Sequence, residues 1–221
     1  MFTRRLTKFI VTGATAIAVG AAAASSAGAS GQDVSGSRGS SARSVPAAGG
    51  VVGVVDSMSA SSFAISTSAG QKVTVQETSS TTYQKETSST PASSITKGDS
   101  VLVLGIVNGL TITASHVIVQ LASRSGPAIS SAAQVVPFQR GAPSAAKQVG
   151  QIPSDYSPGS GTIVSGAEAN KATEVALANY PGGIVNRVVK LSDGGYEVHN
   201  VGVNWPHHIF VTHDFKVVGA F

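Results

Sequence analysis

Cysteine is absent from all 221 residues, which removes disulfide staples, thiolate catalysis and cysteine-ligated metals together. Charge is scarce at 12% of residues and aromatics at 5%, with a single tryptophan, so a core must be built mainly from Val, Ile, Leu and Ala. Carboxylates number 11, and no pair is spaced as an acid/base couple. No Gly-x-Ser-x-Gly elbow, no His-Glu-x-x-His helix and no glycine-rich loop ending in Gly-Lys-Ser/Thr occurs. The formal net charge is +4, and three of those charges (Arg4, Arg5, Lys8) lie in the first eight residues, which leaves the rest near +1. Net positive charge is therefore a poor argument for nucleic-acid binding.

What is present at the start resembles an export signal. A basic stretch is followed by an uncharged, small-residue apolar run over residues 9–24. Ala27-Gly28-Ala29 fits small-x-small cleavage after residue 29; Thr3-Arg4-Arg5 leaves a twin-arginine signal as an alternative, but Thr7-Lys8 continues that pattern poorly, which favours the ordinary secretory route. The run is short and alanine-rich for a membrane span. Membrane attachment enters only through an uncleaved signal, and no cysteine follows for lipid attachment. The expected location is secreted or extracytoplasmic, in the cell envelope or medium.

Four pieces follow the signal peptide of residues 1–29. Residues 30–48 are Gly/Ser/Ala-rich and read as a flexible linker. Residues 49–120 are dense in Val, Thr and Ser with regular turn signals. Residues 121–161 carry five prolines among Ser and Ala and read as an extended linker. Residues 162–221 read as one helix followed by short strands.

In the second piece, residues 51–55, 63–67, 72–76 and 81–83 read as strands. The runs 101–107 and 110–119 flank Asn108-Gly109, a strong hairpin signal. Six short strands in so few residues suggest a small closed barrel, because closure removes exposed edges. An oligonucleotide-binding barrel would need a basic groove with stacking aromatics. Phe63 and Tyr83 are too few, and Lys72, Lys85 and Lys97 are balanced by Asp56, Glu77, Glu86 and Asp99, so no nucleic-acid partner is expected. His116 reads as an outward polar residue of an alternating strand.

In the last piece, Ser165-Gly166-Ala167-Glu168 matches a capping box. Ala169, Ala172, Ala176 and Tyr180 follow at helical spacing, and Pro181-Gly182-Gly183 stops the helix. Residues 184–191, 196–201, 207–212 and 216–219 read as strands. His199, His207 and His213, with Asp214, are the candidate metal ligands, since neighbouring strands can gather imidazoles. Their spacing matches no established zinc pattern, and adjacent His207 and His208 point to opposite faces of a strand. The expectation is therefore polar strand residues, with no metal and no cofactor. Trp205 is either an interaction anchor or a lid over the alanine-rich helix; the room beside Ala169, Ala172 and Ala176 favours the lid.

Two resemblances rest on these residues. Gly195-Tyr196-Glu197-Val198-His199 with Asp214-Phe215-Lys216-Val217-Val218-Gly219, in the order helix then strands, resembles the PepSY domain family. That family occurs in propeptides of secreted metalloproteases and in bacterial envelope proteins. Residues 97–103 and 113–117 are similar to an uncharacterised bacterial extracytoplasmic β-domain family with an OB-like pattern. The expected fold class is therefore α+β: a small OB-like all-β barrel followed by a PepSY-like helix-plus-antiparallel-sheet module. The resemblance implies a non-enzymatic binding or regulatory protein that recognises a protein or peptide through its C-terminal module. The alternatives are an inhibitor of a secreted protease and a structural envelope component.

Overall fold

The structure is a computed structural model, and it describes residues 45–120, 134–142 and 147–221. The expected signal peptide, residues 30–44 of the first linker and the first part of the second lie outside the described residues.

The chain is organised by its first strand. β1 (Ala47–Met58) is 12 residues long and alternates buried valines with smaller or outward residues. It is followed by β2 (Ser62–Ser66), β3 (Lys72–Gln76), the short hairpin β4 (Thr82–Lys85) and β5 (Ser88–Ser89), then β6 (Ser100–Asn108) and β7 (Thr111–Gln120). β6 and β7 turn at Gly109-Leu110, with Asn108 opposite Thr111. β1 pairs with β2, β2 with β3, β3 in parallel with β7, β7 with β6, and β6 with β1, so these five strands form a closed ring. Val51, Val55, Phe63, Ile65, Val103 and Ile112 are among the apolar side chains packed inside it.

The remaining elements are β8 (Val136–Pro137), β9 (Val149–Gly150), β10 (Thr162–Val164), α1 (Gly166–Asn179), β11 (Ile184–Lys190), β12 (Tyr196–Val201), β13 (Val203–Trp205), β14 (His208–Val211) and β15 (Val217–Ala220). β10, β11, β12, β14, β15 and β9 pair in that order, all antiparallel. β13 pairs separately with β8.

The α+β expectation is corrected here. The protein is mostly β, with one α-helix among the described residues, and 13 strands belong to one mixed sheet. The physical reason lies in β1. It begins at Ala47, within the stretch read as a linker, and its first half lies between β6 and β11, with Gly50 opposite Val185 and Val51 opposite Ile184. Gly49 permits this approach, because a Cβ there would overlap the Val185 carbonyl oxygen. Whether the two folded pieces touch was not readable from their separate patterns; they share a strand border.

The helix belongs to both pieces as well. Its buried face, Ala169, Ala172, Ala176 and Leu177, continues into Tyr180 and packs against Val185, Val188, Val198 and Ile209, and also against Ala48, Leu102 and Leu104 of the barrel strands. β6 therefore buries Val101 and Val103 inside the ring and Leu102 and Leu104 under the helix. A strand covered on both faces reads as a continuous apolar run rather than an alternating one. The capping box does not form: Ser165 occupies the N-cap position without a side-chain bond. Glu168 instead accepts hydrogen bonds from Lys190 Nζ and the Tyr196 hydroxyl, both at 3.0 Å.

Candidate functional site

Three adjacent strands bring chemistry-bearing side chains into one row on the second sheet. Arg187 of β11 lies opposite His199 of β12, and His199 lies opposite His208 of β14. Glu197 sits two residues before His199 and so shares its face. Glu197 is only 2% exposed. His208 Nδ1 donates to Glu197 Oε1 at 2.7 Å, and the Arg187 guanidinium stands 3.9 Å from the same oxygen. His199 Nδ1 donates to Asn186 Oδ1 at 2.7 Å. The two imidazoles meet edge to face at 5.2 Å.

The electrostatics follow from this crowding. Burial, with Arg187 and His208 beside it, pushes His199 down to about 3, so the ring is neutral at ordinary pH. Burial alone would raise the Glu197 carboxyl, but the His208 hydrogen bond and the nearby Arg187 charge outweigh it and hold the group below its usual range. The carboxylate is thus ionised, and its charge is answered locally.

The segment before β10 closes over this face. The Tyr156 hydroxyl lies 3.2 Å from His208 Nδ1. The Tyr156 ring meets Phe210 edge-on at 4.9 Å and Phe221 at 6.0 Å. Phe221 stacks on His208 at 4.5 Å. Ile152 and Tyr156 pack with Val189, Leu191 and Phe210.

The sequence-chosen metal candidates are dispersed by this arrangement. His199 meets His208, not His207. His207 turns to the backbone, where its Nδ1 donates to Asn200 O at 3.2 Å. His213 lies exposed in the turn between β14 and β15. Asp214 in that turn bonds Lys216 and Thr212, which push its carboxyl down to about 2. Among the described residues no group of three His, Cys, Asp or Glu side chains is placed to hold a metal. Trp205 is fully buried, edge-on to Tyr180 at 5.5 Å, with its Nε1–H donating to Lys147 O at 2.6 Å and Lys147 Nζ over the ring at 4.4 Å. It fills the space beside the helix alanines. Arg187, Glu197 and Tyr156 were not singled out as site residues from the sequence, and His208 entered only as the neighbour of His207 that points to the opposite face. Glu197 and His199 at i and i+2, sharing one face of a short strand, were the available signal.

The second feature of this sheet is its edge. β15 would end it, but Val149-Gly150-Gln151 runs antiparallel alongside. Gly150 lies opposite Gly219, Val149 lies opposite Ala220, and Gln151 N–H donates to Val218 O at 2.8 Å. The backbones approach closely at two glycines. A Cβ on Gly219 would overlap the Gln151 carbonyl oxygen, and one on Gly150 would overlap that of Val218. Val218 remains 37% exposed at this edge.

No family model, no curated protein and no solved structure matches the chain.

Proposed function

We propose that the chain is an exported, non-catalytic binding protein of the cell envelope or medium that recognises an extended protein or peptide segment at the β15 edge of its C-terminal sheet. The observation that carries this reading is the seating of an extended segment, Val149 to Gln151, on that edge through main-chain pairing. Strand addition draws its affinity from backbone groups and its selectivity from alternate side chains. The ionisable groups of the neighbouring face are engaged with one another rather than presented to a substrate, which supports recognition over chemistry.

The test is photo-cross-linking in the producing cells. A photoreactive residue replaces Val218, and a control replaces the exposed Leu110 of the β6–β7 turn. A discrete protein or peptide captured from position 218 and not from position 110 is the expected result. Capture of wall or membrane material alone, or equal capture from both positions, contradicts the reading. A secreted protease as the captured partner would narrow it to the inhibitor that the PepSY resemblance implies.

A further inference from the structure

The charged row contains a histidine pair that the proposed function does not use. His199 of β12 lies directly opposite His208 of β14. His208 exchanges both of its backbone hydrogen bonds with Phe221, on the side away from β12. Its pairing with His199 is therefore of the non-hydrogen-bonded kind, in which cross-strand side chains stand closest. Each ring is anchored through Nδ1. His199 Nδ1 donates to Asn186 Oδ1 and His208 Nδ1 to Glu197 Oε1, both at 2.7 Å. The Tyr156 hydroxyl also faces His208 Nδ1, and Phe221 stacks on the same ring at 4.5 Å. In a neutral imidazole, donation from Nδ1 leaves the lone pair on Nε2. Among the described residues neither Nε2 has a hydrogen-bond partner, and the fully buried side-chain polar atoms without one are Thr173 Oγ1 and Asn200 Oδ1. Both Nε2 atoms therefore reach solvent.

The separation of the rings fits one kind of ligand. A zinc ion at about 2.0–2.1 Å from each Nε2 stands about 3.2 Å from each ring centre, so a tetrahedral angle sets the two centres about 5.2 Å apart. The His199 and His208 centres are 5.2 Å apart, with their planes at 63°. We propose that His199 and His208 form a two-histidine site for a zinc-like divalent transition-metal ion, held through the two Nε2 atoms. Imidazole nitrogen suits such ions, whereas calcium and magnesium take oxygen ligands. An oxygen acceptor behind each Nδ1–H is the outer support that metal-binding histidines require, since it fixes ring orientation and tautomer. The Arg187 guanidinium, the nearest fixed positive charge, stands 3.9 Å from the Glu197 carboxylate, which answers it. Two positions of a tetrahedral ion remain for water or an outside ligand. Spacing along the chain does not show this pair, because it depends on the register of β12 and β14. The site is separate from the β15 edge and stands or falls without it.

The experiment titrates Zn²⁺ alone into the full, untagged chain by calorimetry, in wild-type, His199→Gln, His208→Gln and His213→Gln forms. One ion per chain is expected for the wild type and for His213→Gln, with binding at least about tenfold weaker in each of the other two. Equal binding in all four forms, loss of binding in His213→Gln, or no binding to the wild type overturns the proposal. Should His199→Gln or His208→Gln fail to fold, ring-nitrogen NMR of the wild type decides. Zn²⁺ should shift Nε2 of His199 and of His208 while both Nδ1–H donors stay bonded to Asn186 and Glu197. Nε2 signals unmoved at about 1 mM Zn²⁺ overturn the proposal.

Discussion

The barrel and the C-terminal sheet solve the edge problem of β-structure differently. The five barrel strands close on themselves and enclose Val, Ile, Phe and Ala side chains. The C-terminal sheet stays open: the helix covers one face, aromatic residues and the Tyr156 segment cover much of the other, and a short resident strand lies on its edge. Among the described residues, the buried charged groups, Arg187 and Glu197, both belong to the open sheet. A closed apolar ring resists change because an opened strand has no alternative partner. An open sheet with a polar face and a lightly covered edge is suited to exchanging one partner for another. On the proposed reading, residues 47–120 supply stability and the far edge supplies recognition.

Substitution at the joint between the regions should give the largest effect. Gly49→Val drives a side chain into the Val185 backbone. It should cost about 4 kcal/mol or more, read as the denaturation midpoint of the full chain, because the overlapped atoms are paired strand backbone that cannot turn aside as a side chain can. A loss below 1 kcal/mol would mean that β1 does not join the regions. Next comes Glu197→Ala, which leaves Arg187 and His208 without their carboxylate and should cost about 3 kcal/mol. A neutral result would show that the charged row is not internally balanced.

Acid should then separate the regions more gently. His199 titrates near 3 when folded against an ordinary 6.5. The unfolded chain takes up the proton first, so the stability this ring contributes is complete above pH 6.5 and is lost as pH falls towards 3. Glu197 is also depressed, and its contribution is lost on going below the ordinary carboxylate value of 4.5. The melting temperature should fall by about 5 °C between pH 7 and pH 5, and His199→Gln should flatten that slope. Amides of β12 and β14 should lose protection before those of β6 and β7. The smallest effect belongs to Ser165→Ala. With no cap bond to lose, it should change stability by less than about 0.5 kcal/mol, well under the usual cost of a lost cap.

Local patterns in the sequence carried local structure. The alternation of Val73 and Val75, the Asn108-Gly109 turn and the spacing of Ala169, Ala172 and Ala176 each reflect a period that the element itself imposes. The fold class was misread because it depends on pairing between residues far apart. Nothing near Gly49 signals that Val185 will lie against it, and a glycine pair after a flexible-looking stretch reads naturally as its end. Glu168 fits a capping box by position, yet Lys190 and Tyr196 arrive from other strands to claim its carboxylate. The double burial of β6 was written in Val101-Leu102-Val103-Leu104, whose continuous apolarity asks for cover on both faces. For the charged row, strand parity was enough to put Glu197 with His199. Recognising Arg187 and His208 as their neighbours needed the register of three strands.

Residue-resolved amide exchange on the full chain at neutral pH tests the contrast most directly. The Gln151 amide, bonded to Val218 across the lightly covered edge, should exchange at least about a thousandfold faster than the core amides of β6 and β7, through a local opening that leaves the barrel intact. Equal protection at both places would show that the edge segment leaves only when the whole molecule unfolds, and would contradict the account.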